Sequence, residues 1–246
     1  MVERRKFADL PVIALADFLR GEDDLKACKR LAEALKKYSC VVVEDPRVNQ
    51  GDSDRFLDQM EAYFAQSTEA KMEDARPDIN FQVGVCPEFT EIPRNNGAKI
   101  RELNDSEKPT VPQSADAKWR FFWRIGDRAA ETRYPELNAT PVVPQAFPQW
   151  AEVMNDWGTK LHLSARCVAE MLAVGLDLDK DSITNKLERG SHLLAPTGSD
   201  LVKFGKLNTV LAGFHYDLNA LTVHGKSRYP GLYIWTAEGE RLPCKG

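Results

Sequence analysis

Between Phe147 and Leu176, apolar side chains return every three or four residues: Trp150, Val153, Met154, Trp157, Leu161, Ala165, Val168, Met171 and Leu172. That period predicts one long amphipathic helix, with Pro148 in its first turn and Gly175 near its end. At about 1.5 Å per residue such a helix runs roughly 45 Å, the length of a whole domain. Its stripe must be covered along that length, so the rest of the chain has to pack against it. A stripe of Trp and Met at helical spacing reads as core, and His162 beside it reads as a flank residue rather than a ligand.

The segments before this helix are shorter. Leu10 to Leu15 is an apolar run that predicts a strand ending in a turn. From Asp24 to Tyr38 the residues Leu25, Cys28, Ala32 and Leu35 fall at helical spacing with charges between them. A β-branched strand from Cys40 to Val43 follows, stopped by Asp45 and Pro46. A second helix is expected after Gly51, capped by Asp52 or Ser53, with Phe56, Met60, Tyr63 and Phe64 on one face. Phe81 to Val85 predicts another strand. From Glu88 to Pro148 the pattern weakens and prolines gather, which predicts a long irregular region. Within it lies WRFFWRIGD, Trp119 to Asp127, too aromatic for solvated linker. It reads either as aromatic plugs packing a loop on the core or as a substrate-facing wall.

Beyond the long helix the period changes. A short helix over Asp181 to Leu187 precedes predicted strands at His192 to Leu194, Leu207 to Phe214, Leu218 to Val223, Leu232 to Thr236 and Arg241 to Pro243. Short strands separated by Gly, Pro and Asp turns predict an antiparallel sandwich or barrel. The chain therefore reads as α+β, with a helical region over residues 1–190 and a β region over residues 191–246.

Hydrophobic residues make up 43% of the 246 positions and charged residues 28%, enough apolar material for a substantial core. A net charge of −4 argues against a broad nucleic-acid surface, and the basic cluster Arg4 to Lys6 is short. No stretch approaches the ~18 apolar residues of a membrane span, and no signal peptide is visible. The five cysteines are scattered, odd in number and without a C-x-x-C pair. Free thiols in a reducing, cytoplasmic setting are expected from that pattern.

The chemistry concentrates at Phe214-His215-Tyr216-Asp217, expected at the end of a strand. Side chains two apart in an extended segment point the same way, so His215 and Asp217 can grip one ion from one side. Imidazole suits iron, and a single carboxylate offsets part of its charge. A His and an Asp joined by a second His form the facial triad of iron(II) oxygenases, which leaves the opposite face open. The spacing alone equally describes a strand-end His hydrogen-bonded to a turn Asp.

Context comes from a resemblance. LPVIALADFL, ALKKYSCVVVEDPRV and GDSDRFLDQMEAYFAQSTEAK resemble, in order, the opening strand, the next helix and strand, and the following helix of the isopenicillin-N-synthase-like dioxygenases. HLLAPTGSDL then precedes AGFHYDLNALTVHGKSRYPGLYIW, which resembles that family's metal strand, next strand and G-L-x-x-W stretch. The resemblance implies a double-stranded β-helix (jelly roll) behind an N-terminal helical region. It further implies a non-haem Fe(II) enzyme that uses 2-oxoglutarate and molecular oxygen to oxidise a small-molecule substrate. His215 and Asp217 would then be metal ligands.

The sequence departs from the family pattern in three places. No distal histidine follows at the family's spacing, since His224 lies too close to close the triad and His162 and His192 are poorer candidates. No Arg-x-Ser pair for the co-substrate carboxylate is present, although Arg228 and Arg241 occur. Leu193, Leu194, Ala195 and Pro196 stand where many members carry Asn-Tyr-Tyr-Pro. These departures predict an incomplete jelly roll: a truncated form of a longer protein, or one completed by strands of another chain. Open sheet edges of that kind invite self-association. A catalytically silent member acting as a binding or scaffold protein is the competing expectation, as is a partner protein that docks through its sheet edge.

Overall fold

The expected long helix forms as α6 (Trp150–Gly175) in a computed structural model that describes residues 10–22, 24–104 and 107–244. The basic cluster Arg4–Lys6 lies outside those residues. Pro148 stands just ahead of the N-cap Gln149, outside the first turn in which the sequence pattern placed it. The buried stripe matches the periodic positions: Trp150, Val153, Met154, Trp157, Val168 and Met171 are all inside.

Ahead of α6, β1 (Val12–Ala14) and β2 (Val42–Glu44) pair in parallel, with Val12 opposite Val42. Between them run the short α1 (Ala16–Leu19) and the amphipathic α2 (Leu25–Tyr38). Asp24 caps α2 by accepting the Ala27 N–H, and Ser39 ends it in the left-handed conformation at φ 60°. Its buried face is Cys28, Leu31, Ala32 and Ala34. Leu25 stands exposed instead, because it occupies the first turn before the helix reaches the core. Helix α3 (Gln50–Phe64) starts one turn before the expected cap. Asn49 accepts from the Asp52 N–H while the Asp52 carboxylate accepts from the Asn49 N–H, a reciprocal capping box. Helix α4 (Thr68–Met72) follows, capped by Ser67.

The weakly patterned region contains more order than its sequence suggested. It holds α5 (Gly97–Glu102) and a six-residue strand, β4 (Trp119–Arg124). The antiparallel partner of β4 is β3 (Gly84–Cys86). Beyond α6 and α7 (Thr184–Leu187), β5 (Leu193–Leu194) and β6 (Thr197–Gly198) also pair with β4. The aromatic segment is therefore the central strand of a four-stranded sheet. Trp119, Phe121 and Trp123 alternate onto its buried face, which decides between plug and substrate wall in favour of core.

Helix α6 carries two cores along its length. Its first half packs Trp150, Val153, Met154 and Trp157 against Phe56, Met60, Tyr63, Phe121 and Trp123. Tyr63 meets Phe121 edge-on at 5.3 Å, and the Trp150 ring lies 4.6 Å from that of Phe121. Aromatic pairs of this kind contribute about 0.5–1.5 kcal/mol each beyond their burial. The second half packs Cys167, Val168 and Met171 against Ile13, Leu15, Cys28 and Leu31.

After α8 (Leu201–Phe204) the expected β region departs from its pattern. Strands β7 (Leu232–Trp235) and β8 (Arg241–Cys244) form an antiparallel hairpin, close to expectation. The strands expected over 207–214 and 218–223 do not form. Leu207 is 92% exposed and Leu218 80%, and Asn208 turns left-handed at φ 65°. An extended apolar run becomes a strand only where a neighbour accepts its ladder and its side chains, and here neither is met.

Candidate metal centre

His215 and Asp217 sit on the loop between α8 and β7, not on a strand. Their side chains still converge, with His215 Nε2 3.5 Å from Asp217 Oδ1. Both are about half exposed, at 46% and 45%, so the pair opens outward. The remaining polar atoms are tied back. His215 Nδ1 lies 2.8 Å from the Gly213 carbonyl oxygen. A carbonyl can only accept, so this contact places a proton on Nδ1, and in the neutral ring the lone pair is then on Nε2. Thr222 Oγ1 donates to Asp217 Oδ2 at 2.6 Å, leaving Oδ1 facing the imidazole.

Neighbouring aromatic rings seat the loop. Phe214 meets Trp235 edge-on at 5.2 Å and Tyr216 at 5.5 Å. The indole N–H of Trp235 donates to the Glu107 carbonyl at 2.9 Å. Asn96 reaches the Phe214 carbonyl at 3.4 Å.

The donor pair suits one divalent ion. Ligands held at about 2.1 Å and a right angle lie roughly 3 Å apart, close to the separation seen. The bond from Nδ1 to a backbone carbonyl is the outer contact that ligating histidines commonly make. Among the described residues no third His, Cys, Asp or Glu joins the pair. His224 is exposed and takes no part in a strand. His162 and His192 lie against each other, ring centroids 4.3 Å apart and planes tilted by 48°. Burial holds both below the ordinary histidine range, helped at His162 by the His192 ring and Arg166 and at His192 by Arg124 and Arg166.

The two arginines noted in the sequence are already engaged. Arg228 pairs with Asp54 at 3.3 Å, Asp58 at 2.7 Å and Glu61 at 3.2 Å, all on α3. Arg241 lies over the Tyr233 ring. Thr222 and Gly213 were missed by sequence reasoning. Thr222 was hidden inside an apparent strand, and Gly213 acts through its backbone, which no side-chain pattern reports. No helix among the described residues is long and apolar enough to cross a membrane.

Residues 10–146 match the family model for the N-terminal region of a non-haem dioxygenase in morphine synthesis. No functionally curated protein matches the sequence. Among solved structures, a full-length Neurospora crassa protein in complex with alpha-KG and 5-formyluracil superposes with a TM-score of 0.69 at 16% identity. That match covers 95% of this chain and 67% of the other. The alpha-KG complex of the same protein gives 0.65 at 17% identity, covering 95% and 69%. A Caulobacter crescentus protein described as of the 2OG-Fe(II) oxygenase family gives 0.59 at 18% identity. There the match covers 77% of this chain and 55% of the other, so the chain spans little more than half of that protein's length. At such identities the likeness is one of fold.

Proposed function

The chain belongs to the non-haem dioxygenase family, the isopenicillin-N-synthase-like 2-oxoglutarate/iron(II) oxygenases, and from that premise we propose that it oxidises a small molecule at an iron(II) site using 2-oxoglutarate and molecular oxygen. The observation that carries the proposal is the convergence of His215 Nε2 and Asp217 Oδ1 at 3.5 Å with their other polar atoms tied back. The Neurospora complexes with alpha-KG, thymine and 5-formyluracil support 2-oxoglutarate as co-substrate and a small molecule as substrate class.

In this reading His215 holds the metal through Nε2 and Asp217 through Oδ1. When bound, iron(II) supplies oxygen activation coupled to oxidative decarboxylation of 2-oxoglutarate. The Gly213 carbonyl keeps the imidazole in the tautomer whose Nε2 can donate its lone pair. The Asp217 carboxylate offsets one of the ion's two charges, and the Thr222 hydroxyl keeps its second oxygen turned away. Because the pair is half exposed, the outward side stays open for co-substrate and oxygen. The Arg228 guanidinium, shared by three carboxylates, is not available to hold the co-substrate.

Anaerobic calorimetry with iron(II), with and without 2-oxoglutarate, on wild type and His215→Ala tests the proposal. Micromolar binding that 2-oxoglutarate strengthens and the substitution abolishes is the expected result. Wild type that binds no iron would overturn it. That result would favour the second reading, a binding or scaffold protein, which the two-donor site among the described residues also suits.

A further inference from the structure

We propose that Asp116 is the positioning residue of the His215/Asp217 centre: its buried carboxylate holds the N–H of Gly213, the residue whose carbonyl orients the His215 ring. The inference rests on the metal reading of that centre. Asp116 Oδ1 accepts the Gly213 N–H at 2.8 Å, a contact between residues 97 positions apart. The same residue carries the carbonyl that receives His215 Nδ1 at 2.8 Å. One residue, Gly213, thus joins a fixed buried charge to a candidate ligand.

Asp116 is fixed at every polar atom. Its Oδ2 pairs with the ammonium of Lys118, and the two side chains are only 6% and 5% exposed. Lys118 Nζ also reaches Glu91 Oε2 at 2.8 Å, and Glu91 Oε1 accepts from Arg120 at 3.0 Å. The Asp116 backbone donates to the Glu91 carbonyl at 2.9 Å and accepts the Phe89 N–H at 2.8 Å. A buried ion pair confers little net stability, but removing one partner leaves an uncompensated charge. The carboxylate is therefore held stiffly in one place.

Gly213 completes the clamp. A Cβ there would stand 2.5 Å from Pro112 Cγ and 2.8 Å from Pro93 Cγ, so the bare peptide slots between two proline rings. With its N–H held by Asp116 and its flanks by the prolines, the residue has little room to shift, and its carbonyl points to His215 Nδ1. That direction selects the Nδ1–H tautomer and aims Nε2 at Asp217. Outer-shell contacts of this kind commonly change metal affinity by about 10–100-fold when removed.

The test uses wild type, Asp116→Asn and the double variant Asp116→Leu/Lys118→Met. The double variant removes both buried charges together, a change that is often neutral for stability. Long-range nitrogen NMR of the metal-free proteins, at a pH where imidazole is neutral, reads the His215 tautomer directly. Wild type is expected as Nδ1–H. The double variant is expected to move toward the Nε2–H form that free imidazole side chains favour, and its anaerobic iron(II) Kd to rise about 10–100-fold. Asp116→Asn keeps an oxygen that can accept from Gly213 and is expected to retain the tautomer and most of the affinity. A double variant with unchanged tautomer and affinity overturns the inference, whatever its stability. So does a Gly213 amide that exchanges with solvent in wild type at the rate of a free peptide, a result that needs no variant to fold. If wild type and His215→Ala bind iron(II) alike, the metal reading fails, and the tautomer comparison still decides the role of Asp116.

Discussion

Gly175 and Gly158 lie on the same helix, and adding one methyl group to each is expected to give different outcomes. At Gly175 a Cβ would stand 2.2 Å from the Cys28 carbonyl oxygen and 2.7 Å from its carbon, more than 1 Å inside ordinary contact. Those atoms are backbone of α2, so relief requires the two helices to separate along the second core. Overpacking of this kind costs about 1–3 kcal/mol, and a backbone obstacle places it at the upper end. Replacing Gly by Ala within a helix returns at most ~1 kcal/mol, less at its last turn. Gly175→Ala should therefore lose about 2 kcal/mol. At Gly158 the Cβ would meet Ile125 Cδ1 at 2.8 Å and Cγ1 at 2.9 Å, atoms of a side chain rather than of a neighbouring backbone. An off-rotamer adjustment costs about 0.5–1.5 kcal/mol, close to what the helix returns, so Gly158→Ala should be near neutral. At roughly 2–4 °C per kcal/mol for a chain of this size, the midpoints should differ by about 4–8 °C. Far-UV circular dichroism melts with parallel urea titrations at constant slope measure this. Equal midpoints, or a Gly175→Ala variant more stable than wild type, would refute the close-approach argument.

Two further outcomes follow from buried groups. Burial raises the Asp45 carboxyl, but hydrogen bonds from Arg47 and Ser164 outweigh it and hold the group below the usual carboxylate range. A folded value below the unfolded value of ~3.9 contributes stability that is present above that pH and lost as pH falls through the folded value. Ser164→Ala removes the 2.6 Å bond to Asp45 and should cost about 1.5–3 kcal/mol at neutral pH while flattening the acid side of the stability profile. An unchanged acid limb in urea titrations across pH would count against it. Burial also pushes the Cys86 and Cys167 thiols up to about 11, so on the order of one in 10,000 is thiolate at neutral pH. Both should resist maleimide in the native protein and react on unfolding, and rapid native labelling followed by mass spectrometry would contradict this.

What sequence could determine here was local geometry. The Trp and Met stripe located α6 because helical period depends only on residues three and four apart. The closeness of His215 and Asp217 was legible too, since residues two apart are neighbours along the chain, although the strand expected to carry them did not form. Helix α2 was legible in extent, with one error: Leu25 matched the period yet lies in a first turn the core does not reach. Only the tertiary structure decided which apolar runs became strands. The segment 119–124 became the centre of a sheet because β3, β5 and β6 flank it, whereas 207–214 and 218–223 found no partner and stayed irregular. It alone brought Asp116 to Gly213 across the chain, and so supplied the contact behind the imidazole. A hydrogen bond to a backbone amide leaves no mark on the residue that donates it, and pairing between distant segments depends on neighbours that periodicity does not register.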